Sequence, residues 1–205
     1  MPERVKVLFL DRDGTIIYDR LGDYITRVDQ ALMIPGSDDA IAKAKKAGFK
    51  IVIASNQAGI AKGIVSKRVV EEINAYMQSV LEQKQAGYDL CYFAPYHPDY
   101  PNKEHEPYKT WRKPNIGMVV QAIQDMTEMG LDVDIEESYF IGDKQVDVAC
   151  GIKAGLRPIL VRTGYAEVDE CTKLNTVPEY VADDLYDAIV NYILPGSLTG
   201  KAGRP

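Results

Sequence analysis

The 205-residue sequence is poor in the residue types that build metal clips and crosslinks: three cysteines, two histidines and one tryptophan. Cys91, Cys150 and Cys171 are odd in number and far apart, which excludes a disulfide framework and a Cys-x-x-Cys zinc pair and points to a reducing, cytoplasmic setting. Positive charge is also short, with 24 Lys and Arg against 30 Asp and Glu and a formal net charge of −6. Nucleic acid and membrane surfaces demand a basic field, so neither is expected as a partner, whereas a small anionic ligand needs only local cations. No apolar run approaches the ~20 residues that cross a bilayer. The apolar stretch near the start is interrupted by Lys6 and lacks a small-residue cleavage site, so it reads as a strand and not as a signal peptide. Composition is otherwise that of an ordinary globular protein, 46% hydrophobic and 26% charged. The length suits one domain over residues 1–194, followed by a Gly/Pro-rich flexible tail at 195–205, in a monomer or weak oligomer.

What is present is an alternation of buried strands and amphipathic helices. Short β-branched runs at 5–10, 49–55, 89–93, 138–143 and 157–162 read as strands. Between them, Ser37 is placed to cap a helix with Asp38 and Asp39 in its first turn and a stop at Gly48. Ser66 opens a longer helix with Val69, Ile73, Met77, Val80 and Leu81 on one face. A third helix spans 115–129, a short one ends near Gly155, and a terminal one covers 183–194. This order predicts an α/β protein with a Rossmann-like doubly wound parallel sheet, in which ligands sit beyond the carboxyl ends of the strands. The segment 94–114, APYHPDYPNKEHEPYKTWRKP, has neither period and is too long for a routine connection. Its density of Pro, Tyr and Trp predicts an ordered, substrate-facing loop.

Four polar clusters fall at strand ends or helix entries. Asp11 and Asp13, two residues apart after the first strand, can converge on one cation, and a carboxylate there can attack phosphorus. Ser55, Asn56 and Gln57 offer a hydroxyl and two amides to phosphate oxygens after the second strand. Arg112 and Lys113 precede the third helix and supply a planar fork and a point charge. Asp143 is a hard oxygen ligand suited to Mg²⁺, with Lys144 beside it and Asp147 at i+4. Each cluster alone has an ordinary explanation as a turn, a cap or a surface charge pair; their shared order and placement do not.

FLDRDGT, ASNQ, RKP and IGDKQVD resemble the four motifs of the haloacid dehalogenase (HAD) superfamily of phosphatases, and together they span nearly the whole chain. LDRDGTI, SNQAGIAKG, WRKP and GDKQVD are most similar to the branch that holds the heptose 1,7-bisphosphate phosphatases and histidinol-phosphatases, and the lack of a large cap insertion suits it. The resemblance implies a Mg²⁺-dependent phosphatase of a small phosphorylated sugar, with histidinol phosphate or another phosphomonoester as the alternative substrate. Asp11 would be the nucleophile and Asp13 the acid and base. Ser55, Asn56, Gln57, Arg112, Lys113 and Lys144 would bind substrate, while Asp11, Asp13 and Asp143 hold the metal and Asp147 supports them by orienting Lys113 or a metal-bound water. Lys62, within SNQAGIAKG, would add positive charge near a second phosphate. A non-catalytic binding module and a polynucleotide end-phosphatase are the competing classes; the intact carboxylates and lysine oppose the first, the acidic charge the second. One departure stands out. The branch clips its long loop with a structural zinc, and the matching positions here are Ala94, Tyr96, Lys109 and Trp111, none of them a zinc ligand. No structural Zn²⁺ is therefore expected, with Cys91, His97 and His105 as an irregular alternative set and aromatic–proline packing as the replacement.

Overall fold

Leu8 and Leu10 face one side of strand β1 (Glu3–Leu10) and Val7 and Phe9 the other, and all four are wholly buried in the computed structural model, which describes residues 2–199. A strand apolar on both faces belongs in the middle of a sheet covered on both sides. The remaining strands are β2 (Phe49–Asn56), β3 (Leu90–Ala94), β4 (Leu131–Val133), β5 (Tyr139–Gly142), β6 (Arg157–Val161) and β7 (Tyr180–Ala182). They form one sheet in the order β3-β2-β1-β5-β6-β7, every pair parallel, with β4 beside the first residues of β1.

The helices are α1 (Ser37–Lys46), α2 (Ala58–Ala61), α3 (Lys67–Glu82), α4 (Gly117–Glu128), α5 (Gln145–Lys153), α6 (Val168–Lys173) and α7 (Leu194–Thr199), the last entered through a π-helical segment, Asp187–Ile193. Ile41 of α1, Ile73 and Met77 of α3, and Ile189 and Ile193 of the π segment pack on the Leu8–Leu10 face. Met118, Val119, Ala122 and Met126 of α4 and Cys150 of α5 cover the Val7–Phe9 face. Winding runs outward from β1 in one direction through β2 and β3 and in the other through β5, β6 and β7. The tips of β1 and β5 therefore flank a topological switch point, where a crevice forms.

Several local expectations shift. Ser37 does not cap α1: Gly36 takes the N-cap position at φ 83°, and the Ser37 hydroxyl donates to the Ile16 carbonyl at 3.1 Å. Ser66 does cap α3, accepting from the Val69 N–H at 3.3 Å. The buried stripe of α3 is Val70, Ile73, Asn74, Met77 and Leu81, so Val69 and Val80 lie at its margin. The tail expected from residue 195 begins as helix, since α7 carries the chain to Thr199, and residues 200–205 lie outside the described residues. The 94–114 segment includes a 3-10 turn at Glu106–Tyr108. Trp111 meets Tyr92 and Tyr108 edge-on, with ring centroids 5.6 and 5.2 Å apart, and Ala94 and Tyr96 are buried. Of the four positions matched to the zinc clip, Trp111 is the one seen in these ring contacts. Among the described residues no helix is long and apolar enough to cross a membrane.

Candidate active site

The site begins with strand register. Leu10 lies opposite Ile141, and the Asp11 N–H donates to the Ile141 carbonyl at 2.9 Å, so Asp11 and Asp143 leave adjacent strand tips side by side. Asp147 joins them from the first turn of α5; Asp11, Asp143 and Asp147 bring carboxylate oxygens within 4.8 Å of one another, the one such cluster of ligand side chains among the described residues. Cys91, His97 and His105 form no comparable cluster there.

Three buried carboxylates repel one another unless cations intervene. Lys113, whose side chain is 1% exposed, reaches between two of them: its ammonium is 3.0 Å from Asp11 Oδ1 and 2.6 Å from Asp147 Oδ1. Burial alone would raise Asp11, but Lys113 and Lys144 outweigh it and hold Asp11 below the usual carboxylate value. The same two carboxylates overcome the desolvation of Lys113 and drive its pKa up, so it stays an ammonium. Asp147 also accepts the backbone N–H of Lys144 at 3.0 Å and is pushed up to about 6, chiefly by burial. Asn56 secures the lysine: its Nδ2 donates to the Lys113 carbonyl at 3.1 Å and its Oδ1 accepts the Lys113 N–H at 2.9 Å. Asn56 thus clamps the backbone of Lys113, and it also lines the cleft where sequence placed it as a substrate contact.

Asp143 is different. Its Oδ2 accepts the Tyr165 N–H at 2.7 Å, while its buried Oδ1 has no partner. Burial, and then the charges of Asp11 and Asp147, push it up to about 8. An orphaned, fully buried oxygen next to a second carboxylate is what a hard divalent cation fits. Asp147 spends Oδ1 on Lys113, so the cation seat falls to Asp143 and Asp11. Sequence reasoning missed the wall around this seat. Gly14 and Gly164, at φ +79° and +66°, press on the Asp143 carboxylate; a Cβ on Gly14 would lie 2.6 Å from Oδ2, and one on Gly164 would overlap it. Thr163 Oγ1 ties the two loops together by donating to the Gly14 carbonyl at 2.5 Å. Gly14 in the DRDG turn and a glycine just after the sixth strand were the signals in the sequence.

Asp13 sits apart from the cluster. Arg12 grips it with a guanidinium fork, Nε to Oδ1 and Nη2 to Oδ2 both at 3.0 Å, and Gln57 Nε2 adds a bond to Oδ2 at 2.7 Å. The same Gln57 amide reaches the buried Ser55 hydroxyl at 2.9 Å. In front of these groups opens a cleft of about 530 Å³, whose lining includes Asp13, Gln57, Lys113 and Lys144 and, from the 94–114 loop, His97 and Arg112. Lys144 pairs with Asp19 at 3.2 Å and lies 4.3 Å over the Tyr165 ring. Lys62 also lines the cleft and lies over the rings of Tyr24 and Tyr100. Burial lowers the pKa of His97, and the charges of Arg112 and Lys62 add to that shift, which marks a shared positive region. The cleft therefore has a buried acidic nest with its own ammonium and a more open basic wall, an arrangement able to take a phosphoryl group at one end and a second anion at the other.

Fold and site together define a phosphoric monoester hydrolase of the HAD-like class. A family model described as HAD-hyrolase-like matches residues 110–188. The chain is 50% identical over 192 residues to a D-glycero-D-manno-heptose-1,7-bisphosphate 7-phosphatase from Chlorobaculum tepidum, covering 94% of this chain and 96% of that one. It is 35% identical to the D-glycero-beta-D-manno-heptose-1,7-bisphosphate 7-phosphatase of Escherichia coli K12, over 80% of this chain and 83% of the relative. Among solved structures, the D,D-heptose 1.7-bisphosphate phosphatase from B. bronchiseptica, complexed with magnesium and phosphate, superposes with a TM-score of 0.78 at 27% identity, covering 93% of this chain and 99% of that one. The chain belongs to the D-glycero-D-manno-heptose 1,7-bisphosphate 7-phosphatase family.

Proposed function

We propose that this chain removes one phosphate from a D-glycero-D-manno-heptose 1,7-bisphosphate, leaving the heptose 1-phosphate, through a phosphoryl-Asp11 intermediate. Residues 1–194 act as one catalytic unit, working in the cytoplasm. A carboxylate oxygen of Asp11, held ionised by Lys113, attacks phosphorus in line. The bond from phosphorus to the sugar oxygen breaks, its electron pair stays on that oxygen, and Asp13 delivers a proton there. Water then attacks the phosphoryl group, gives its proton back to Asp13, and Asp11 leaves as carboxylate. Lys113 and Ser55 hold the transferring oxygens, where fixed donors contribute most. Asp11, Asp143 and the backbone carbonyl of Asp13 would hold Mg²⁺, which when bound offsets the repulsion between nucleophile and phosphate dianion.

The observation that carries the reading is the pairing of a buried Asp11–Lys113–Asp147 network with a basic wall, Lys62 and Arg112, in the same cleft. A substrate with one phosphate would leave that wall unused, so it supports a bisphosphate over histidinol phosphate. The test is a kcat/KM panel of heptose 1,7-bisphosphate, heptose 7-phosphate and histidinol phosphate with Mg²⁺. Preference for the bisphosphate that collapses in Arg112→Ala is expected; a preference for histidinol phosphate overturns the substrate, and Asp11→Asn with substantial activity overturns the mechanism.

A further inference from the structure

Arg12 looks from sequence like the spacer between two aspartates, yet it is the largest fully buried side chain of the described residues, only 1% exposed. A buried guanidinium has to be matched by acceptors. Its fork takes both oxygens of Asp13, and its remaining amino group donates to Asn74 Oδ1 at 2.8 Å. Asn74 is itself buried in the middle of the inward stripe of α3, a polar residue at a position where Val70, Ile73, Met77 and Leu81 set an apolar pattern. The Asn74 backbone carbonyl accepts the Tyr88 hydroxyl at 3.0 Å. Asp13 is thereby connected, through Arg12, to the rigid body of a 16-residue helix.

From this geometry we infer that Arg12 is a positioning residue for Asp13, and that Asn74 on α3 is its anchor. This rests on the reading of Asp13 as the proton carrier. The fork engages both side-chain oxygens of Asp13 at once and so fixes the rotation of its carboxyl group, while Asn74 fixes the fork. Arg12 thereby sets the position from which Asp13 meets the sugar oxygen. Asn74 places no atom on the substrate cleft and acts only through Arg12.

The test separates positioning from mere stability by the leaving group. With kcat/KM, which reports steps only through transfer to Asp11, heptose 1,7-bisphosphate needs a proton on its leaving oxygen, whereas 4-nitrophenyl phosphate leaves as a stable phenolate. Arg12→Lys, which keeps the charge and loses the fork, is expected to lower kcat/KM about 100-fold for the sugar ester and less than about 5-fold for the aryl ester. Asn74→Leu, which suits the apolar stripe and leaves Arg12 intact, is expected to give the same selectivity at about 10-fold, and it decides the matter if Arg12→Lys does not fold. Equal losses on both esters, or no loss in Asn74→Leu, would overturn the positioning role. Asp13→Asn measured alongside keeps the two readings apart. If it retains sugar-ester turnover, the proton-carrier reading falls and the inference with it; if it loses that turnover while both other variants stay selective for neither ester, only the inference falls.

Discussion

Replacing Lys113 by methionine keeps the stem and removes the charge that Asp11 and Asp147 share. Contacts of 3.0 and 2.6 Å correspond to roughly 5–6 kcal/mol of attraction each at an effective dielectric of about 20. Desolvation of three buried charges cancels most of that sum, and removing one partner of such a network costs about 3–5 kcal/mol. The loss has a characteristic pH dependence. In the native chain Lys113 holds Asp11 below its usual value and offsets the burial of Asp147, which stands at about 6. Without the ammonium, burial and the repulsion between the two carboxylates are opposed chiefly by Lys144, and both carboxyls rise in the folded state. A carboxyl raised on folding binds protons that the unfolded chain does not, so its stability is kept at low pH and lost as pH climbs through the folded-state value. Urea unfolding of metal-free protein at pH 8 should therefore show the full loss of about 3–5 kcal/mol, and at pH 5 less than about half of it. Lys113→Met combined with Asp147→Asn should recover part of the loss at pH 8. A deficit under about 1 kcal/mol, or one equal at both pH values, would refute the view that Lys113 holds these charges together.

Three further outcomes are expected. Because Asp143 is pushed up to about 8 and a cation binds only its ionised form, Mg²⁺ affinity measured by calorimetry should rise up to tenfold per unit from about pH 6.5 to 7.5 and level off above 8, with proton release; a flat profile would count against the Asp143 seat. Gly14→Ala places a methyl 2.6 Å from Asp143 Oδ2 at φ +79° and should cost about 2–4 kcal/mol with at least a tenfold loss of Mg²⁺ affinity, whereas Gly63→Ala, at φ +69° with nothing nearby, should cost only about 1 kcal/mol and leave Mg²⁺ alone; equal effects would contradict the close-approach reading. Trp111→Ala, deprived of its contacts with Tyr92 and Tyr108, should lose about 2–4 kcal/mol by thermal melting, and a strong zinc chelator should leave the wild-type Tm unchanged; a fall in Tm on chelation would show that aromatic packing is not what holds the loop.

The strands that bear the site were legible because their burial is extreme. FLDRDG and YFIGD announce themselves by apolar runs that end abruptly in charge, and Leu10 and Ile141 do sit at adjacent tips. β4 and β7 were not legible: three residues each, LDV and YVA, are too short to carry a period. The Ser37 cap misled because a serine before two aspartates is the usual signature, while the Ile16 carbonyl claims its hydroxyl across 21 residues. Asn56 and Arg12 share this cause. Their types were compatible with substrate contact or spacing, and only tertiary pairing, with Lys113 in one case and with Asp13 and Asn74 in the other, decides what they do.

The central place of β1 also governs how the chain is made. One neighbour, β2, begins at Phe49, but the other, β5, does not begin until Tyr139. At ribosomal rates of about 5–20 residues per second, Leu8 to Leu10 wait some 6–26 seconds for the strand that pairs their second edge. During that interval a strand that the finished fold buries on both faces is an open edge, the kind that recruits other nascent chains. A reading frame cut before residue 139 would thus yield an aggregation-prone product instead of a smaller soluble one, and the growing chain is most exposed to misassembly until β5 has been made.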